Sequence, residues 1–248
     1  MTRLIKSVLM DENRRLFDLL AQSSELEGLT LVGGTALALQ INHRNSLDFD
    51  FATFEEKLPT KNIDLLIHRL KAGKNTVNEI TDSTAVSQFK INTGENLRDY
   101  ARDYVVNNIK VTFFTHGQNQ DQRQFYKNTA KVTDSTISFD VLAIDGLKAA
   151  KTLVLADGVR SRDLFDLMVL VRDYHYSLDE IISTVKRIGH IDDMEHYRAV
   201  MTGIIPLDKN DEGLYPVDVV TDIKDIYRFF DNLFAEHDIQ RAAEFYSE

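Results

Sequence analysis

The spacing of apolar positions divides the chain into two stretches of different character. Leu4, Ile5, Val8, Leu9, Leu16, Leu19 and Leu20 recur at helical intervals and predict a helix over 3–22, with Thr2 as its cap. Leu29-Thr30-Leu31-Val32 is a short apolar run, read as a strand that Gly33-Gly34 stops. Residues 35–41 (TALALQI) predict a short helix. Leu47 to Phe51 (LDFDF) alternates acid and apolar residues with the period of a strand. An amphipathic helix is predicted over 60–71, closed by Gly73. Residues 75–115 predict β structure, clearest at Ile109 to Thr115, and a polar loop follows to Gln122. From about 141 the pattern is helical, over 142–156, 161–175, 178–189, 192–203 and 218–246, with Pro206 and Pro216 bracketing a polar turn. The expectation is an α+β protein: a mixed-sheet domain over 1–135 and a helical domain over 136–248.

Composition narrows the function classes. The 248 residues are 43% hydrophobic and 27% charged, which excludes wholesale disorder. Cysteine is absent, so disulfides and thiolate metal sites are excluded, and a reducing, cytoplasmic location is expected. No run of apolar residues is long enough to span a membrane, and the first residues do not have the pattern of a secretory signal. Net charge is −10, but unevenly spread: −1 over 1–115, −2 over 116–207 and −7 over 208–248. A basic coat for nucleic acid is thereby excluded, whereas a phosphate-binding cleft in the near-neutral first half is not.

Chemistry concentrates first in Leu31 to Phe51 (LVGGTALALQINHRNSLDFDF). Two glycines let a backbone approach a bulky anion, the helix that follows offers free N–H groups and a positive dipole end, and Thr35 adds a hydroxyl. Asp48 and Asp50 at i, i+2 on a strand share a side. Two such carboxylates suit Mg²⁺ (or Mn²⁺), which takes hard oxygen ligands and is completed by substrate phosphates. Phe49 and Phe51 are expected on the core side. A second group lies at 144–170. Lys148 and Lys151 share a helix face; Arg162, Asp163 and Asp166 open the next helix, with Arg162 expected to face Asp166 at i, i+4.

The Gly-Gly-Thr turn followed by Asp-x-Asp resembles the opening motif of the nucleotidyltransferase superfamily. More narrowly, GGTALALQINHRNSLDFDF resembles the AbiEii-like nucleotidyltransferase toxins, and Arg162-Asp163-Leu164-Phe165-Asp166-Leu167 is similar to a second element of that family. The resemblance implies a Mg²⁺-dependent transfer of an NMP from an NTP to an acceptor, often RNA and notably a tRNA 3′ end, by a toxin that a partner antitoxin neutralises. It implies that Gly33, Gly34, Thr35, Arg44 and Ser46 face the NTP and that Asp48 and Asp50 hold the metal. It further implies that Lys151, or else Lys148, contacts the triphosphate, with Arg162 beside it, and that Asp163 or Asp166 acts near the metal or acceptor. The helical domain is expected to contribute to that cleft.

The sequence departs from the superfamily in one respect. A third carboxylate is expected on a later strand, yet Ile109 to Phe114 (IKVTFF) contains none, and Lys110 or Thr112 stands in its place. Glu79, Asp99 or Asp103, or else Asp163 or Asp166, is left to substitute. The alternative is a catalytically inactive nucleotide- or RNA-binding module on the same fold. The seven histidines show no metal-ligand spacing, and His43 is read as structural. Tyr100, Tyr104, Tyr174 and Tyr176 are read as packing, and Arg98 and Arg102 as a solvated helix face.

Overall fold

The computed structural model describes residues 4–245. The chain divides into two compact units, Met1–Leu147 and Lys148–Glu248.

The first unit is built on a mixed seven-stranded sheet. In chain order the strands are β1 (Thr30–Val32), β2 (Phe49–Thr53), β3 (Val77–Glu79), β4 (Ala101–Val106), β5 (Ile109–Thr115), β6 (Lys131–Val132) and β7 (Asp140–Leu142). Their spatial order is β3-β4-β5-β2-β1-β7-β6. β1 runs antiparallel to β2 and parallel to β7, and β2 runs parallel to β5. Because β7 completes the sheet beside β1, the first unit reaches past the boundary expected at 135. The flanking helices are α1 (Asp11–Ala21), α2 (Gly33–Ile41), α3 (Thr60–Ala72), α4 (Ser83–Thr93) and α5 (Gln120–Asn128). One sheet face is apolar. Phe49, Phe51 and Phe113 are fully buried, and Phe51 packs edge-on against Phe139 with ring centroids 5.0 Å apart.

Three expectations for this unit change. The helix over 3–22 is interrupted: a 3-10 turn at Lys6–Val8 gives way to an isolated parallel bridge between Leu9 and Ser46, and α1 starts only at Asp11. The Thr2 cap lies outside the described residues. The stretch expected as β contains α4, capped by the Asp82 carboxylate, which accepts the Thr84 N–H at 2.8 Å, and closed by Gly94 at φ +77°. No α4 residue is buried, so there is no apolar stripe to reveal its period. Arg98 and Arg102 do not share a helix face. Arg98 ends in a 3-10 turn and pairs with Glu79 at 2.6 Å, while Arg102 lies on β4 and pairs with Asp64 at 2.6 Å.

The second unit is helical. α6 (Ile144–Leu153) spans the division, and α7 (Ser161–Asp173), α8 (Leu178–Arg187), α9 (Met194–Met201) and α10 (Ile223–Phe245) follow. α8 begins in a complete capping box between Ser177 and Glu180. α10 is long but amphipathic on a narrow stripe, burying Ile226, Phe230 and Phe234 at i, i+4, i+8. No described helix is long and apolar enough to cross a membrane.

Candidate active site

In the first unit the Gly-Gly turn and the acidic strand are brought together by β1 pairing with β2. The register sets Val32 opposite Asp50, so the residue after Val32 emerges beside the Asp50 side chain. Gly33 turns the chain from strand into helix at φ +71°, a conformation glycine adopts without strain. A Cβ on Gly33 would lie 2.6 Å from Asp50 Oδ2, and a Cβ on Gly34 would overlap the Arg44 guanidinium. The two glycines thus let a carboxylate and a guanidinium close onto the first turn of α2. That turn carries N–H groups without intrahelical partners and the positive end of the helix dipole.

Thr35 and Ser46 sit behind this surface. Both are buried, their hydroxyls lie 2.6 Å apart, and Thr35 Oγ1 also donates to the backbone carbonyl of Asp48. The Asn13 side chain, also buried, donates to the carbonyl of Leu47 at 2.6 Å. With the Leu9–Ser46 bridge, residues 46–48 are fixed from three directions. Thr35 and Ser46, expected to face the nucleotide, therefore hold the Asp48 loop in place. Asn13 and Leu9 were not legible as site residues, because their contacts are long-range and carry no motif. Asp48 directly precedes β2 and Asp50 lies on it, both half-buried, with Phe49 between them in the core.

Among the described residues no three acidic or histidine side chains form a ready-made metal cage. The Asp50 carboxylate beside that helix end, with Asp48 two residues before it, still fits Mg²⁺, which is ordinarily held by one or two carboxylates and completed by substrate oxygens.

In the second unit Lys151 lies between two acids of α7. Its Nζ is 2.6 Å from Asp163 Oδ1 and 2.7 Å from Asp166 Oδ2, with all three side chains at most 7% exposed. Arg160 adds a contact to Asp163 at 2.8 Å. Burial opposes the Asp163 charge, but the Lys151 ammonium and the Arg160 guanidinium outweigh it and hold its carboxyl below the ordinary carboxylate range. Arg162 does not face Asp166: it pairs with Glu212 at 3.0 Å, and Lys151 takes Asp166 instead. Lys148 lies over the Tyr176 ring, 5.3 Å from its centroid.

The family model for the nucleotidyltransferase AbiEii toxin of type IV toxin–antitoxin systems matches residues 14–242. The chain belongs to the AbiEii nucleotidyltransferase toxin family. Membership sets it among nucleotidyltransferase toxins and implies a nucleotide substrate and an antitoxin partner. A solved Helicobacter pylori structure described as a candidate nucleotidyltransferase is 17% identical at a TM-score of 0.50, covering 88% of this chain and 90% of that one, and shares the fold. Also similar are JHP933 from Helicobacter pylori (16% identity, TM-score 0.49, 99% of this chain and 100% of that one) and MenT4, a nucleotidyltransferase toxin from Mycobacterium tuberculosis H37Rv (13%, 0.42, 88% and 82%). Among curated proteins none matches. The AbiEii match takes in both the Asp48–Asp50 group and the Lys151 cluster.

Proposed function

We propose that this AbiEii-family protein transfers an NMP from an NTP to a hydroxyl of an RNA acceptor, a tRNA 3′ end being the first to test, and that an antitoxin restrains it. The observation that carries this reading is the approach of Asp50 and Arg44 to Gly33 and Gly34 at the first turn of α2. The α2 N–H groups and the Arg44 guanidinium would receive phosphate oxygens. Asp48 and Asp50 would hold a Mg²⁺ (or Mn²⁺) ion, which when bound supplies charge neutralisation on the phosphates. Thr35, Ser46 and Asn13 keep the loop carrying Asp48 from relaxing, so the acids meet the nucleotide already positioned.

In the second unit Lys151, Asp163 and Asp166 are the other group this reading draws on, with Lys151 as a cationic partner for phosphate. Its engagement by both acids also supports a part in holding α6 against α7.

The test is incubation with each labelled NTP, Mg²⁺ and tRNA, comparing the wild type with Asp48→Ala. Label should enter RNA only with the wild type. Incorporation that survives the substitution refutes the role of Asp48. Nucleotide binding without any transfer identifies a non-catalytic module instead.

A further inference from the structure

The strand that ought to supply a third carboxylate carries Thr112, and the sheet register shows what stands next to it. Asp50 on β2 lies opposite Thr112 on β5, and Thr112 lies opposite Asp103 on β4. Residues directly opposite in a ladder share a face, so Asp50, Thr112 and Asp103 form one row across three strands. The neighbouring row, Phe49, Val111 and Tyr104, is buried on the other face. Thr112 Oγ1 donates to Asp103 Oδ1 at 2.8 Å, and Lys110 lies 3.5 Å from the same oxygen. The Asp103 backbone is fixed as well: its N–H donates to Thr81 Oγ1 at 3.0 Å and its carbonyl accepts from the Ile80 N–H at 2.9 Å.

The other acids named from this part of the sequence are excluded by position. Glu79 is in register with Tyr104, hence on the opposite face, and is paired with Arg98. Asp99 precedes β4 in a 3-10 turn and faces Lys57 at 4.0 Å.

Resting on the transfer reading above, we propose that Asp103 is a catalytic residue, the missing third carboxylate supplied from the adjacent strand, and that it accepts the proton of the attacking acceptor hydroxyl. Strand spacing of about 4.8 Å sets its backbone about 10 Å from that of Asp50. That separation leaves room for a substrate group between the two carboxylates. In the step, the acceptor O–H gives its proton to the Asp103 carboxylate and its oxygen bonds to the α-phosphorus. The bond from that phosphorus to the bridging β-phosphate oxygen breaks, and pyrophosphate leaves. Thr112 is a positioning residue that orients Asp103.

The experiment uses the full chain with labelled NTP, Mg²⁺ and the RNA acceptor. Asp103→Asn is isosteric and still accepts the Thr112 hydrogen bond. It should lower kcat by roughly 10²–10⁴-fold while the KM for NTP stays within about threefold. Adding Thr112→Asp to that variant restores a carboxylate to the row, one strand nearer Asp50, and should recover at least about tenfold of the loss. If Asp103→Asn does not fold, Thr112→Val is read in its place, with kcat expected to fall about tenfold. An Asp103→Asn enzyme at the wild-type rate, or one losing kcat only in step with NTP binding, overturns this inference and leaves the transfer reading standing. So does a Thr112→Val enzyme at the wild-type rate when it is the one read. A wild type that transfers to no acceptor overturns both.

Discussion

Replacing Gly34 with alanine should separate activity from stability. The new Cβ would overlap the Arg44 guanidinium. Carbon contacts settle at about 3.5–4.0 Å, so the terminal nitrogen must retreat by on the order of 1 Å. What blocks the methyl group is the far end of a flexible side chain, and Gly34 itself sits in α2 without a positive φ. The backbone therefore accepts alanine, which favours a helix over glycine by about 0.5–1 kcal/mol. For a chain of this length that corresponds to a Tm unchanged or raised by about 2–4 °C. Activity should move the other way, because an error of about 1 Å in a positioned group costs about 10²-fold. The assay is a thermal melt and an NMP-transfer rate on the same preparation. A variant that transfers within about threefold of the wild type refutes a phosphate-facing Arg44. A variant that melts several degrees lower refutes the steric account of the turn.

Two further predictions concern groups away from that turn. Lys151→Met leaves Asp163 and Asp166 buried without their shared ammonium, so urea unfolding should show a loss of about 3–5 kcal/mol; a loss below about 1 kcal/mol would mean the cluster is more open than its geometry implies. His116 packs between Tyr126, Phe114 and Phe54; its Nε2 is sealed from solvent without a hydrogen-bond partner, and burial pulls its pKa from 6.5 down to about 4. The unfolded chain therefore binds that proton more readily, so the contribution is present above pH 6.5 and is lost as pH falls towards 4, by at most about 3 kcal/mol. His116→Phe should remove this part of the pH dependence, seen as a difference in stability between wild type and variant that changes across that window; a constant difference would refute it.

What the sequence revealed was local. LVGGTALALQ and LDFDF are legible because a strand, a turn, a helix and a strand within about twenty residues each carry their own period and punctuation. The amphipathic helices α3 and α8 are legible for the same reason. What stayed hidden depends on partners far along the chain. That Lys151 pairs with Asp166, and Arg162 with Glu212, follows from how α6 and α7 pack and how the loop at 212 returns, whereas i, i+4 spacing pointed to Arg162 with Asp166. That Asp103 shares a row with Thr112 and Asp50 follows only from the β4–β5 and β5–β2 registers. Leu4 to Leu9 repeat at helical intervals, yet Leu9 is drawn off to pair with Ser46 and α1 starts only at Asp11.

The place of β7 has a consequence for how the chain is made. β1 and β2 are separated by one short helix and can meet early, whereas β1 must wait for Asp140–Leu142 to gain its other neighbour. Gln40 of α2 likewise donates to the carbonyl of Leu142 at 2.9 Å. A nascent chain released on a ribosome from the N-terminus would hold the glycine turn long before the strand that braces it from behind. Premature termination before residue 140 should therefore leave β1 without its β7 neighbour and the sheet unfinished.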